Sequence, residues 1–146
     1  MKIAIDEANE GIENNHGGPF GAVIVKDGKV IAKGHNQVLL DNDPTMHGEM
    51  NVIRQASKKL GTYDLSGCIL YTTGQPCPMC LSAILWANID KVYYGCNVID
   101  TEEIGFRDNK FYQILNNPEQ LIEELDRKAC LSLYSKYQKK DNKKIY

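Results

Sequence analysis

No apolar run in the 146-residue chain approaches the roughly 20 residues needed to cross a bilayer, which excludes a membrane-spanning helix. The first residues, MKIAIDEANEG, carry acids where a secretory leader would carry bases and a long apolar core, so a cytoplasmic protein is expected. Basic charge is short as well: 17 lysines and arginines stand against 19 acids, a formal charge of −2. A field able to gather phosphates is therefore missing, which argues against a nucleic-acid partner. Only the tail KYQKKDNKKIY departs from this balance, with five lysines against one aspartate, and a solvated helix end accounts for it. The five cysteines are an odd number, a poor basis for a disulfide framework and a better one for free thiols or metal ligands. Neither a repeat nor a low-complexity linker interrupts the sequence, so residues 1–146 read as a single domain, long enough to bury its own core.

What is present alternates between strand and helix patterns. Residues 3–14 predict a short helix with Ile5, Ala8 and Ile12 on its buried face, ended by Asn14, Asn15, Gly17 and Gly18. FGAVIVK and KVIAKGH flank Asp27-Gly28, a dipeptide suited to the positive φ angles of a tight hairpin. His47 to Leu60 carries Met50, Ile53, Ala56 and Leu60 at helical spacing, with Gly61 placed as the C-terminal cap. Residues 68–73 and 91–95 read as strands on either side of a helix at 79–87. Asn117-Pro118-Glu119-Gln120 opens a further helix, and the pattern stays helical over 126–137. Strands alternating with helices imply an α/β sandwich whose later strands run parallel.

Two helix starts carry the chemistry. His47 and Glu49 stand at one, and Pro76-Cys77-Pro78-Met79-Cys80 forms the other, with one predicted strand between them. Cysteines three apart in a first helical turn project from the same side, and the helix N-terminus favours their thiolates. Thiolate and imidazole are the ligands zinc prefers, so His47, Cys77 and Cys80 form a candidate site for one Zn2+. Three protein ligands leave a fourth position open, the mark of a catalytic site, where bound water has its pKa lowered to about 7. Glu49 is placed to take a proton from that water and pass it to a substrate. Alone, C-x-x-C also reads as structural zinc or a redox pair, and H-x-E is close to noise. A fourth structural ligand is not on offer. Cys68 and Cys96 fall in or beside strands and Cys130 in a helix, while His16 and His35 lack a partner at ligand spacing, so all five read as packing or loop residues.

H-x-E followed by P-C-x-x-C is the pattern of zinc nucleobase deaminases. From about Glu10 to Tyr146 the sequence resembles the cytidine deaminase superfamily, and within it the bacterial guanine deaminases, through GGPFGAVIVKDG, NDPTMHGE, CILYTTGQPCPMC, IGFRDNKFY and the terminal Tyr146. The resemblance implies a three-layer α/β/α sandwich with a mixed sheet of about five strands, although the strand patterns number four. It also implies hydrolytic deamination of a free base, guanine foremost, with cytosine or the adenosine of a tRNA as alternatives. Carried over by position, Glu49 shuttles protons and Asp108 assists proton transfer at the purine amine. Asn36, Phe20 and Trp86 would line the base pocket; Phe20 and Trp86 read equally well as core aromatics, and Asp108 as a solvated loop acid. The family further implies a homodimer that exchanges C-terminal segments, with Tyr146 reaching the partner's pocket. Two positions depart from the usual pattern: Gly48 stands where alanine is common, as in fungal cytosine deaminases, and Gln75 where glutamate is common.

Overall fold

Asp27 and Gly28 fold as their chemistry requires. In the computed structural model, which describes residues 1–116 together with Arg127 and Leu131, they take φ values of 49° and 72°. They close strand β1 (Gly21–Lys26) onto β2 (Lys29–His35), with Lys26 opposite Lys29. Between Ile24 and Val25 the register shifts, leaving Ile31 as the extra residue of a bulge. Helix α1 (Lys2–Glu13) precedes this hairpin, and α2 (Val38–Asp41) and α3 (Gly48–Leu60) follow it. Next come β3 (Cys68–Gly74), α4 (Pro78–Trp86), β4 (Lys91–Cys96), α5 (Val98–Glu103) and α6 (Asp108–Leu115).

The strands form one mixed sheet in the order β2-β1-β3-β4. β1 runs antiparallel to both neighbours, while β3 and β4 are parallel and joined through α4. Helices cover both faces, so the expected α/β architecture is present with four strands among the described residues, not about five. Among the described residues the chain after Cys96 enters α5 and α6 and adds no further strand.

Alternation along β1 assigns its two faces. Ala22 and Ile24 join Val52 and Ala56 of α3 and Leu70 of β3 in the main core, each fully buried. A side chain as large as Ile24 or Leu70 contributes roughly 1.5–3 kcal/mol by such burial. On the opposite face Gly21 lies against α1, so close that a methyl group there would run into the Ala4 carbonyl. This contact corrects the expected orientation of α1. Ala4, Glu7, Ala8 and Gly11 are buried, whereas Ile5 and Ile12 are each 47% exposed, because only the small residues admit so close an approach to the sheet. In α3 the buried set is likewise rotated, to Gly48, Glu49, Asn51, Val52 and Ala56, and Met50, Ile53 and Leu60 are half-buried.

Three short helices, α2, α5 and α6, were not expected from the sequence, although α6 carries Phe111, Ile114 and Leu115 at helical spacing. α5 is started by a capping box: Asn97 Oδ1 accepts from the Ile99 and Asp100 amides at 2.8 and 3.1 Å, and Asp100 Oδ2 accepts from the Asn97 amide at 2.8 Å. The chain divides into two compact units, Met1–Tyr112 and Gln113–Tyr146, and the sheet belongs to the first. The predicted helix at Asn117, Cys130 and Tyr146 lie outside the described residues, as does 126–137 except for the helical Arg127 and Leu131.

Candidate metal centre and adjoining cavity

Two helix N-termini converge behind the carboxyl end of β3. His47 is the N-cap of α3 and Cys77 the N-cap of α4, both with extended backbone, and Pro78 occupies the first turn of α4, where its missing N–H costs nothing. Cys80 follows one turn on. The ligand atoms of His47, Cys77 and Cys80 all lie within 4.8 Å of one another, and Cys77 Sγ is 3.6 Å from His47 Nδ1. Both sulfurs are buried, with Cys77 5% and Cys80 1% exposed.

The three donors shift one another's protonation. The Cys77 thiol is pulled down to about 4 by the Cys80 hydrogen bond and by His47. Cys80 is pushed up by its bond to Cys77 and by burial, so the pair holds one thiolate and one thiol. His47 is raised, first by the Cys77 sulfur. One imidazole and two sulfurs, close together and short of positive charge, suit Zn2+ and would suit Mg2+ or Ca2+ poorly, since those demand oxygen. Among the described residues this is the one cluster of such donors.

Glu49 lies in the first turn of α3, 5% exposed, and burial raises its carboxyl above the usual range. Thr72, one alternation beyond Leu70 on the same face of β3, donates its hydroxyl to Glu49 Oε1 at 3.2 Å. Gly48, between metal ligand and acid, faces the carbonyl of Phe20; a methyl group there would lie 2.9 Å from that oxygen. Close packing thus accounts for glycine at this position.

A cavity of about 470 Å³ opens beside His47, within the range of small-molecule sites. Asp108 lies on its wall at the start of α6, its carboxyl raised by burial and by the charge of Cys77. One turn later Tyr112 donates its hydroxyl to the Pro76 carbonyl at 2.8 Å, tying α6 to the loop that bears Cys77. Asn36, 3% exposed, forms another part of the wall; its Oδ1 accepts from the Val38 amide at 3.1 Å, which leaves the NH2 group to donate. Phe20 meets Phe106 edge to face, with centroids 4.8 Å apart, and its ring edges rest against Gly18 and Gly74.

His47, Glu49, Cys77, Cys80, Asp108, Asn36 and Phe20 therefore gather at one place. Trp86 does not: it ends α4, 67% exposed, and is absent from the cavity lining. Phe106, Arg107 and Phe111 line the cavity without having been anticipated, and Arg107 sits 5.3 Å over the Phe111 ring. The FRDNKF stretch, read as a loop around one acid, offered two cations and two aromatics as the available signal. Cys68 is buried in the core, whereas Cys96, expected as a packing or loop residue, is the exposed last residue of β4.

Residues 1–96 match the family model for the cytidine and deoxycytidylate deaminase zinc-binding region. The chain belongs to this deaminase family. It is 51% identical over 118 residues to the guanine deaminase of Bacillus subtilis (strain 168), covering 81% of this chain and 76% of that one. It is 35% identical over 140 residues to a tRNA-specific adenosine deaminase of Aquifex aeolicus (strain VF5), covering 88% and 92% of the two chains. Its fold superposes on the crystal structure of the Bacillus subtilis guanine deaminase with a TM-score of 0.94, at 44% identity over 99% of this chain and 95% of that one. The zinc-binding family model and the His-Cys-Cys cluster together fit one Zn2+ per chain.

Proposed function

We propose that this deaminase hydrolyses free guanine to xanthine and ammonia. The reading is carried by the placement of His47 and Asp108 on the wall of one small cavity whose other walls are Asn36 and the Phe20–Phe106 pair. Similarity to the guanine deaminase of Bacillus subtilis supports the choice of base. Zinc, when bound, supplies a water acidified to a pKa of about 7, hence a nucleophile near neutral pH.

The chain's own residues do the rest. Glu49 takes a proton from the attacking water as a C–O bond forms at the carbon bearing the amine, and delivers it to a ring nitrogen. A second proton, from the same oxygen, goes to the amine as the C–N bond breaks and ammonia leaves. Burial raises the Glu49 carboxyl above the usual range, which favours its holding the proton it accepts until it is returned. Asp108 accepts from the purine amine and steadies it. The Asn36 amide reads a ring edge, and the edge-to-face aromatic pair bounds the flat base.

The same reading takes residues 1–146 as one cytoplasmic domain and extends to a homodimer with exchanged C-terminal segments, in which Tyr146 and the exposed Trp86 serve the base pocket. Leu85, Trp86, Tyr93 and Tyr94, each half or more exposed or nearly so, give α4 and β4 an apolar face of the kind a second copy covers. Among the described residues no helix is long and apolar enough to cross a membrane.

Ammonia release from the zinc-loaded protein with guanine, adenine, cytosine, guanosine and a tRNA transcript tests the assignment. Turnover of guanine above the others is expected. Preference for cytosine would replace guanine with that base, preference for tRNA would favour the activity named for the Aquifex relative, and no release at all would leave a zinc module without catalysis. Light scattering, with and without the last residues, tests the exchanged dimer.

A further inference from the structure

Glu7, His35 and His16 form a hydrogen-bonded chain that the deamination chemistry does not use. Glu7, on α1, is 7% exposed, and its carboxylate receives Lys33 Nζ at 2.7 Å and His35 Nδ1 at 3.2 Å. The other ring nitrogen of His35, Nε2, lies 2.9 Å from His16 Nδ1. The two ring planes differ by 20° and the centroids are 5.2 Å apart, which is the 2.9 Å contact lengthened by one ring radius at each end. The imidazoles therefore meet edge to edge, nearly coplanar, in the geometry of a straight N–H···N bond.

The order of protons along this chain is set from one end. A carboxylate only accepts, so His35 donates from Nδ1. With both rings neutral, His35 accepts at Nε2 and His16 donates from Nδ1, which puts both histidines in the Nδ1–H tautomer. Gly11 makes room for this arrangement: a methyl group on it would lie 2.7 Å from Cδ2 of His35.

Each imidazole stands one residue before a wall of the cavity, His16 before Gly17 and His35 before Asn36. Gly17 packs so tightly on Asn36 that a methyl group there would overlap the amide oxygen. The Asn36 backbone N–H donates to the Phe20 carbonyl at 2.8 Å, and the His16 carbonyl accepts from the Leu39 and Leu40 backbone N–H groups at 3.0 and 3.2 Å.

We infer that Glu7, His35 and His16 are positioning residues, a strap that fixes the loop through Gly17 against Asn36 and so sets the width of the base site. This rests on the cavity being the place where the base binds. The strap touches neither the metal ligands nor Glu49, so its loss acts on binding before it acts on turnover.

Two variants separate positioning from bulk stability. His16→Leu removes the donor, while His16→Asn returns an amide nitrogen close to where Nδ1 stood. In the zinc-loaded protein His16→Leu is expected to raise KM for guanine about 5-fold or more while kcat stays within about 2-fold, and His16→Asn to regain most of that loss. An unchanged KM in His16→Leu, or equal KM values for Leu and Asn, overturns the inference. Should the unaltered protein turn over another base in place of guanine, the guanine assignment fails alone and the same comparison is made with that base. Independently of substrate, long-range 1H–15N correlation spectra should find both His16 and His35 as Nδ1–H tautomers; an Nε2–H form of either overturns the strap.

Discussion

The Thr72 hydroxyl reaches from β3 to α3 and donates to Glu49 Oε1 at 3.2 Å, with Thr72 1% and Glu49 5% exposed. A carboxylate that shuttles protons must return to one position between transfers, and this bond holds one of its oxygens. Thr72→Val keeps the shape and deletes the donor, and should lower kcat about 10-fold or more, the worth of a hydrogen bond to a charged group, with zinc content unchanged. Thr72→Ser should restore most of it. Steady-state kinetics in which the valine variant matches the original kcat would remove Thr72 from this role.

Glu49→Gln exposes a conflict between stability and activity. Turnover should fall about 10²–10⁴-fold while zinc remains bound. Burial raises the Glu49 carboxyl, so folding favours its protonated form; that contribution is full below the unfolded-state value and disappears as pH rises through the folded-state value. Glutamine does not titrate. Calorimetry of metal-free protein should therefore find the variant with the higher Tm, by a margin that grows with pH across that window. A margin that shrinks as pH rises contradicts the assignment.

Asp108→Ala should reduce guanine deamination about 100-fold and affect any residual cytosine activity less, because the aspartate is assigned to the purine amine. Equal losses on the two bases would make Asp108 a general wall residue.

Zinc uptake should release protons. The Cys80 proton, held by Cys77 and burial, and the His47 proton, held by the Cys77 sulfur, must both leave before the donors can bind. Titrating metal into weakly buffered apo protein near pH 7 should free about one proton per chain from Cys80 and a further share from His47, and affinity should fall as pH is lowered, by up to about 100-fold per pH unit once both donors are protonated. An indicator dye reports the first and competition with a chelator the second. No proton release would mean the donors are already ionised.

The sequence makes local features legible. Asp27-Gly28 specifies its own turn, Gly61 its own cap at φ 68°, and Cys77-Pro78 its own helix start, so the zinc donors were readable from spacing. Features decided across the fold were not. α1 turns Ala4 and Ala8 inward and leaves Ile5 outward because Gly21 lies beneath it, and apolar periodicity carries no record of a glycine in another element. Thr72 was readable as an inward residue of β3 but its partner was not, since 23 residues separate it from Glu49. Asp108 and Asn36 were reached by resemblance, and Phe106 and Tyr112 only by the way α6 returns to the site.

The sulfur pair has a bearing on handling. Cys77, whose thiol is pulled down to about 4, and its neighbour Cys80 form a pair that an oxidant able to reach them can couple into a disulfide, because the thiolate is the reactive form and its neighbour the natural second partner. Metal occupancy therefore doubles as chemical protection. Preparations stripped by chelator without a reductant should drift into a state that no longer takes up metal, and loss of function in storage would then trace to sulfur chemistry while the fold is still intact.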